Sequence, residues 1–81
     1  MAHSNFKVGQ IVRCNEGSSY TAIIERFSDH GAFFSWLKYD NEDHWSTAAH
    51  PQPIKDIVPH FDPYSVLADF SSAVREGKFK V

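Results

Sequence analysis

Histidine and cysteine are the first residues to weigh for chemistry. Cys14, His30, His44, His50 and His60 have the right side chains for zinc. A structural zinc site, however, pairs its ligands at close spacing, such as C-x2-C or H-x3-H. Here the nearest histidine pair is His44 and His50, and the cysteine is single, so no metal is expected. Cys14 with a histidine and Asp43 could form a nucleophilic set. Cys14 shares an apolar strand face with Val12, however, which suits a small buried hydrophobe better. The chain has no G-x-S-x-G, no P-loop and no HExxH, the patterns that bring a nucleophile, a phosphate cradle or a metal base. A thin domain also has little room for an enclosed pocket of ~300–1,000 Å³. The expectation is a non-catalytic protein with no catalytic residue, no cofactor and no metal.

Recognition chemistry is concentrated in FFSWLKYDNEDHW, Phe33 to Trp45. Phe33, Phe34, Trp36 and Leu37 are read as core, where large apolar side chains belong. Tyr39 and Trp45 flank an acidic turn of Asp40, Glu42 and Asp43, and Tyr20 follows another turn. Tyr and Trp are the usual anchors of interfaces. An acidic rim speeds encounter with a basic partner. The expected partner-binding set is therefore Tyr20, Tyr39, Asp40, Glu42, Asp43 and Trp45. The alternative is a nucleic-acid surface made of Arg13 and Arg26 on neighbouring strands plus Lys78 and Lys80 in the tail, with aromatics stacking bases. Ten acids against eight bases and a net charge of −2 oppose that reading, because phosphate contacts supply most of the affinity in such complexes.

These side chains need a scaffold, and the pattern supplies one. Residues 1–5 are polar and expected to fray. FKVGQIVRC alternates like a strand, with Gly9 and Gln10 permitting a bend near its start. NEGSS is turn chemistry. YTAIIERF is a second strand, with Ala22 and Ile24 on one face and Ile23 and Phe27 on the other. SDHG turns the chain, Gly31 supplying a positive φ. AFFSWLKY is a third strand, apolar on both faces and therefore central or covered. Strict alternation sends Phe34 and Trp36 inward with Val12, Ala22, Ile24 and Ile57. It sends Phe33, Leu37, Ile23 and Phe27 toward a covering helix. HWSTA and IKDIV read as short fourth and fifth strands, separated by HPQP, which its prolines keep irregular. In FDPYSVLADFSSAVREG, Asp62 is the N-cap, Pro63 the first helical residue and Gly77 the C-terminal stop. Val66, Leu67, Phe70, Ala73 and Val74 form the expected inward stripe.

The order VGQIVRC, YTAIIERF, a glycine-led aromatic strand ending Lys38-Tyr39-Asp40-Asn41, then Trp45 and IKDIVPHF resembles the SH3-like barrels of the Tudor and KOW kind. The resemblance covers about residues 6–61. It implies a mainly β fold, a small five-stranded SH3-like barrel over 6–61; the C-terminal α-helix at about 63–76, within a packed segment 62–77, is an addition to such a barrel, followed by a tail or short strand at 78–81. It also implies an aromatic cage of Tyr20, Phe27, Tyr39 and Trp45, with Asp40, Asn41 or Asp43 as polar partner, of the sort that holds a methylated cation. At 81 residues the chain makes one thin-cored domain,. With a single cysteine, no secretory h-region and no apolar run near ~20 residues, a soluble cytoplasmic protein without a membrane span is expected. The functional expectation is a small binding module for a protein partner, an adaptor or regulator of a larger bacterial or phage machine, as monomer or weak homodimer.

Overall fold

The computed structural model describes residues 5–15 and 17–80. The polar N-terminal residues expected to fray lie outside the described residues, apart from Asn5. The fold is mainly β with one helix. Strands β1 (Ile11–Cys14), β2 (Tyr20–Ser28), β3 (Gly31–Tyr39), β4 (Trp45–Ser46), β5 (Ile57–Pro59) and β6 (Phe79–Lys80) form one sheet in the order β5-β1-β2-β3-β4-β6. Helix α1 (Pro63–Glu76) connects β5 to β6. Among the described residues five strands fall within 6–61, and the tail forms the short strand it was expected to allow, Phe79–Lys80, parallel to β4. One expectation needs correction: the sheet does not close into a barrel, since among the described residues no pairing joins β5 to β6.

The hairpin β2–β3 is the longest pairing, and its tip depends on Gly31. Gly31 has φ 136°. A Cβ there would run into the carbonyl of Gln52, whose backbone exchanges two 2.9 Å hydrogen bonds with Ala32. Gln52 sits between Pro51 and Pro53, so the segment expected to be irregular still pins itself to the sheet through one residue. Residues expected to begin the fifth strand, Ile54–Asp56, form a 3₁₀ turn instead. Pro59, lacking an N–H, is tolerated because β5 is an edge strand,.

Two irregularities in the hairpin decide which side chains face where. Ile23 pairs with Trp36 but Ile24 pairs with Phe34, and Arg26 pairs with Phe33. Ser35 and then Glu25 are thus extra residues in their strands. Each extra residue reverses the alternation beyond it. Phe34 and Leu37 therefore share the interior with Val12, Cys14, Ala22, Ile24 and Ile57, and Phe27 packs there too. Trp36 turns to the opposite face. Of the four residues expected under the helix only Ile23 is there. Phe33 instead lies under the Arg26 guanidinium, whose carbon is 3.7 Å from the ring centroid.

The second face carries α1. Asp62 caps it by accepting from the Ser65 N–H at 3.2 Å, Pro63 is its first residue, and Gly77 ends it at φ 69°, all as the sequence indicates. Its inward stripe is Val66, Phe70 and Ala73, which pack on Ile11, Ile23, Trp36 and Trp45 from four successive strands. The helix thus crosses the sheet. Leu67 and Val74, expected inward, are half exposed or more. They sit about 100° around the helix from the Val66–Ala73 row. Beneath α1 the rings of Trp45 and Phe70 (5.1 Å), Phe70 and Phe79 (5.3 Å) and Trp36 and Phe79 (4.7 Å) meet edge to face, the favoured aromatic geometry.

Candidate functional site

Beside the helix, one row of the same sheet face stays open. Arg13 pairs with Thr21, and Thr21 with Lys38, two residues along from the row Ile11–Ile23–Trp36 that packs under α1. Side chains two apart share a face, so a polar row runs alongside the flank of α1. Between them lies a groove of about 500 Å³, walled by Ser65, Val66 and Asp69 of α1 and rimmed by Tyr39, His60 and Phe61. Trp45 contributes to its lining.

Each cation of the groove is held by a carboxylate. Arg13 grips Asp40 with two bonds, Nη2 to Oδ2 at 2.8 Å and Nη1 to Oδ1 at 3.1 Å, and Nη1 also donates to Thr21 Oγ1 at 3.3 Å. This fork geometry is the strong form of the pair. It holds the Asp40 carboxyl below its usual range and raises Arg13 further, the two shifts agreeing in sign. Asp40 is set in place by its own N–H, which donates to Ser19 O at 3.1 Å. Lys38 Nζ lies 3.5 Å from Asp69 Oδ2 and so bridges sheet to helix. His60 stacks on Phe61 with centroids 4.9 Å apart. Its Nδ1 accepts from the Asp62 N–H at 2.9 Å, and its own N–H donates to Ile11 O at 3.0 Å. Burial, then the Arg13 charge, hold its imidazole below the ordinary range. Phe61 has no such cover: it is 87% exposed.

The residues expected to bind a partner are dispersed. Trp45 is 1% exposed and anchors the helix side of the core, so its ring faces packed protein and not solvent. Its indole N–H finds no partner among the described residues. Tyr20 is buried in the interior, where its hydroxyl donates to Gln52 Oε1 at 2.9 Å. Burial, with Cys14 adjacent, pushes its phenol far above the usual range. Tyr39 is half-buried, edge-on to Tyr20 at 5.5 Å, and reaches the groove. Asp40 is in the groove. Glu42 and Asp43 are at the surface, 3.5 Å and 3.6 Å from the nitrogens of His44, with Asp43 also 3.9 Å from Lys78. Tyr20 and Phe27 belong to one cluster and Trp45 to the other, so the four aromatics do not assemble one cage.

The basic residues are dispersed as well. Arg26 pairs near the hairpin tip, five residues along β2 from Thr21, the partner of Arg13. That separates the two by roughly 16 Å of strand. Lys78 sits 3.2 Å from Glu76, which raises its ammonium above the ordinary value. Lys80 is exposed on the edge strand β6. Among the described residues no cluster of His, Cys, Asp or Glu is arranged to hold a metal. Cys14 is buried.

Sequence reasoning missed His60, Phe61, Thr21, Ser65 and Asp69. One signal was present: Phe61 is a large apolar residue immediately before the Asp62–Pro63 cap, where no strand or helix can bury it. The groove's other walls come from elements distant in sequence. Among the described residues no helix is long and apolar enough to cross a membrane. No family model matches this chain, and no curated protein or solved structure matches it.

Proposed function

We propose that this protein is a small non-catalytic binding module that takes up a basic segment of a protein partner along the groove beside α1. The carrying observation is the groove itself. It is open and about 500 Å³ in volume, with an exposed aromatic, Phe61, on its rim and the Asp40 and Asp69 carboxylates in its walls. Around it and the adjoining turn, Asp40, Glu42, Asp43, Asp69 and Glu76 outnumber Arg13, Lys38 and Lys78. Such a surface attracts positive charge and speeds encounter. Lys or Arg of the partner would compete with Arg13 and Lys38 for carboxylates already in place, and their stems would lie on Phe61 and Tyr39. The pattern-level resemblance to SH3-like modules points to the same class of role, and a regulator or inhibitor of a larger machine fits a domain of this kind.

Backbone amide NMR tests the proposal. The labelled protein is titrated with a Lys/Arg-rich peptide, an Asp/Glu-rich peptide of equal length, and single- and double-stranded oligonucleotides. The basic peptide should shift Thr21, Lys38, Phe61 and Ser65, and Asp69→Asn should weaken it severalfold. Oligonucleotide binding with a steep negative salt slope would replace this reading with the nucleic-acid one. Shifts confined to residues outside the groove would end it.

A further inference from the structure

Among the residues that line the groove, His60 is the one whose ordinary titration falls between pH 5 and 8,. It also sits where the sheet hands over to the helix. Its own N–H donates to Ile11 O at 3.0 Å, which ties its backbone to β1. Its Nδ1 accepts from the Asp62 N–H at 2.9 Å, and Asp62 in turn caps α1 by accepting from the Ser65 N–H. Its ring stacks on Phe61, centroids 4.9 Å apart and planes 17° from parallel. One imidazole therefore orients both the aromatic rim of the groove and the first turn of its helical wall. A nitrogen that accepts carries no proton, so this arrangement belongs to the neutral ring with its hydrogen on Nε2.

We propose that His60 is a proton-operated latch, so that the groove takes up a basic segment at neutral pH and releases it in mild acid. This rests on the groove being the site for such a segment. A protonated imidazole donates at both nitrogens and accepts at neither. The Asp62 N–H then faces another donor, and the ring must turn away from it. The His60 backbone stays tied to Ile11, so the movement falls on the ring, on Phe61 stacked against it and on Asp62. The rim on which the stem of a partner Lys or Arg would lie is displaced. The new charge acts in the same direction, because it places a cation in a groove whose carboxylates attract cations.

The neighbours of His60 set where the latch works. Arg13 of β1 opposes a second positive charge, whereas Asp62 at the head of α1 and Asp40 beyond β3 favour one. Burial acts with Arg13, and together they outweigh the two carboxylates. The ring therefore stays neutral until pH falls below the ordinary histidine value of 6.5. Asp40, held below its own ordinary value by Arg13, remains ionised over that range. The remaining charges of the groove, Lys38 on β3 and Asp69 on α1, face each other at 3.5 Å. A bound basic segment adds positive charge beside that of Arg13 and depresses His60 further. By linkage the proton and the segment weaken each other's binding by the same factor.

NMR of the free protein from about pH 8 to about pH 5 reads the latch without any ligand. The Phe61 and Asp62 amides should shift with the same midpoint as the His60 ring, and those shifts should vanish in His60→Gln. Amides that hold still while the ring titrates overturn the proposal. Affinity is read next at about pH 7.5 and about pH 5.5, with an end-capped Lys/Arg-rich peptide free of His, Asp and Glu, and with the far-UV spectrum recorded at both. His44→Gln is the control, because His44 lies beside Glu42 and Asp43 in the acidic turn. Kd should rise at least severalfold in acid for the wild type and for His44→Gln, and stay nearly level for His60→Gln. A level Kd in the wild type overturns the latch alone and leaves the groove as the site. So does a rise that survives in His60→Gln or disappears in His44→Gln. A peptide that binds at neither pH ends the groove's role and the latch with it.

Discussion

The two faces of the sheet are buried by different routes. The interior is assembled from neighbours. Val12, Ala22, Ile24, Phe34 and Leu37 come from three strands joined by tight turns, and the Gln52 bridge covers one end. The helix side is assembled from strangers: Trp36, Trp45, Phe70 and Phe79 span more than half the chain. The first kind of core follows from local pairing. The second forms only when a two-residue strand, a helix and the last strand arrive together. Much of the fold's long-range cooperativity therefore rests on four rings, of which Trp45 is the most deeply buried.

The largest test of that contrast is Trp45→Ala. A buried Trp lost to Ala costs about 3–5 kcal/mol, against a total of only ~5–15 kcal/mol for a domain. Chemical denaturation should show that loss, and hydrogen exchange should show α1 amides opening before those of the β2–β3 hairpin. Equal opening of both would dissolve the distinction between the faces. Gly31→Ala comes next, on the interior side. The positive φ alone costs about 1–3 kcal/mol, and the clash with Gln52 adds to it. The Ala32–Gln52 hydrogen bonds should lose exchange protection while the helix keeps its own.

Tyr20→Phe removes one buried hydrogen bond and should cost about 1 kcal/mol in the midpoint of urea unfolding, since the ring contacts with Phe34 and Tyr39 remain. The smallest effect concerns the groove and is read by pH. The folded state depresses Asp40, so its contribution is whole above the unfolded value near 3.8 and is lost as pH falls through the lower folded value. His60 is depressed too. Its contribution is whole above the unfolded 6.5 and declines as pH falls below that. Stability should thus fall in two acid steps. His60→Gln should remove the upper one, and Asp40→Asn the lower one. The lower step should be under about 1 kcal/mol, because the Arg13 pair is half exposed on the Asp40 side and screened by water,.

The helix was legible because its signals are local: Asp62, Pro63 and Gly77 bracket it, and the fold keeps those limits. The strand positions of the β2–β3 hairpin were legible for the same reason, through Gly31 and the β-branched run before it. The facing of its side chains was not. Nothing in GAFFSWLKY announces that Ser35 is an extra residue, and a single such residue moves Trp36 from one core to the other. Trp45 was misread for a related reason. It follows an acidic turn, which argues for the surface, and its burial depends on Phe70 and Phe79, more than two dozen residues away. The groove was half legible. Tyr39 and Asp40 were among the expected contacts, whereas His60, Phe61 and Asp69 joined them only through the crossing of α1.

That crossing also makes the helix a gauge. Fourteen residues at 1.5 Å each give α1 a length of about 21 Å,. Six strands at about 4.8 Å spacing make a sheet roughly 24 Å wide,. The helix starts beside one margin strand, β5, and ends beside the other, β6, with only residues 60–62 and 77–78 as slack. Its length and the sheet's width are therefore one dimension, set twice. Inserting a full turn would keep every inward side chain on its face, yet overshoot the far margin by ~5 Å. Deleting a single residue would barely shorten it, yet rotate its distal half by a quarter turn. Span and phase are locked together, so the number of residues between Asp62 and Gly77 is as much a specification of this fold as their identities.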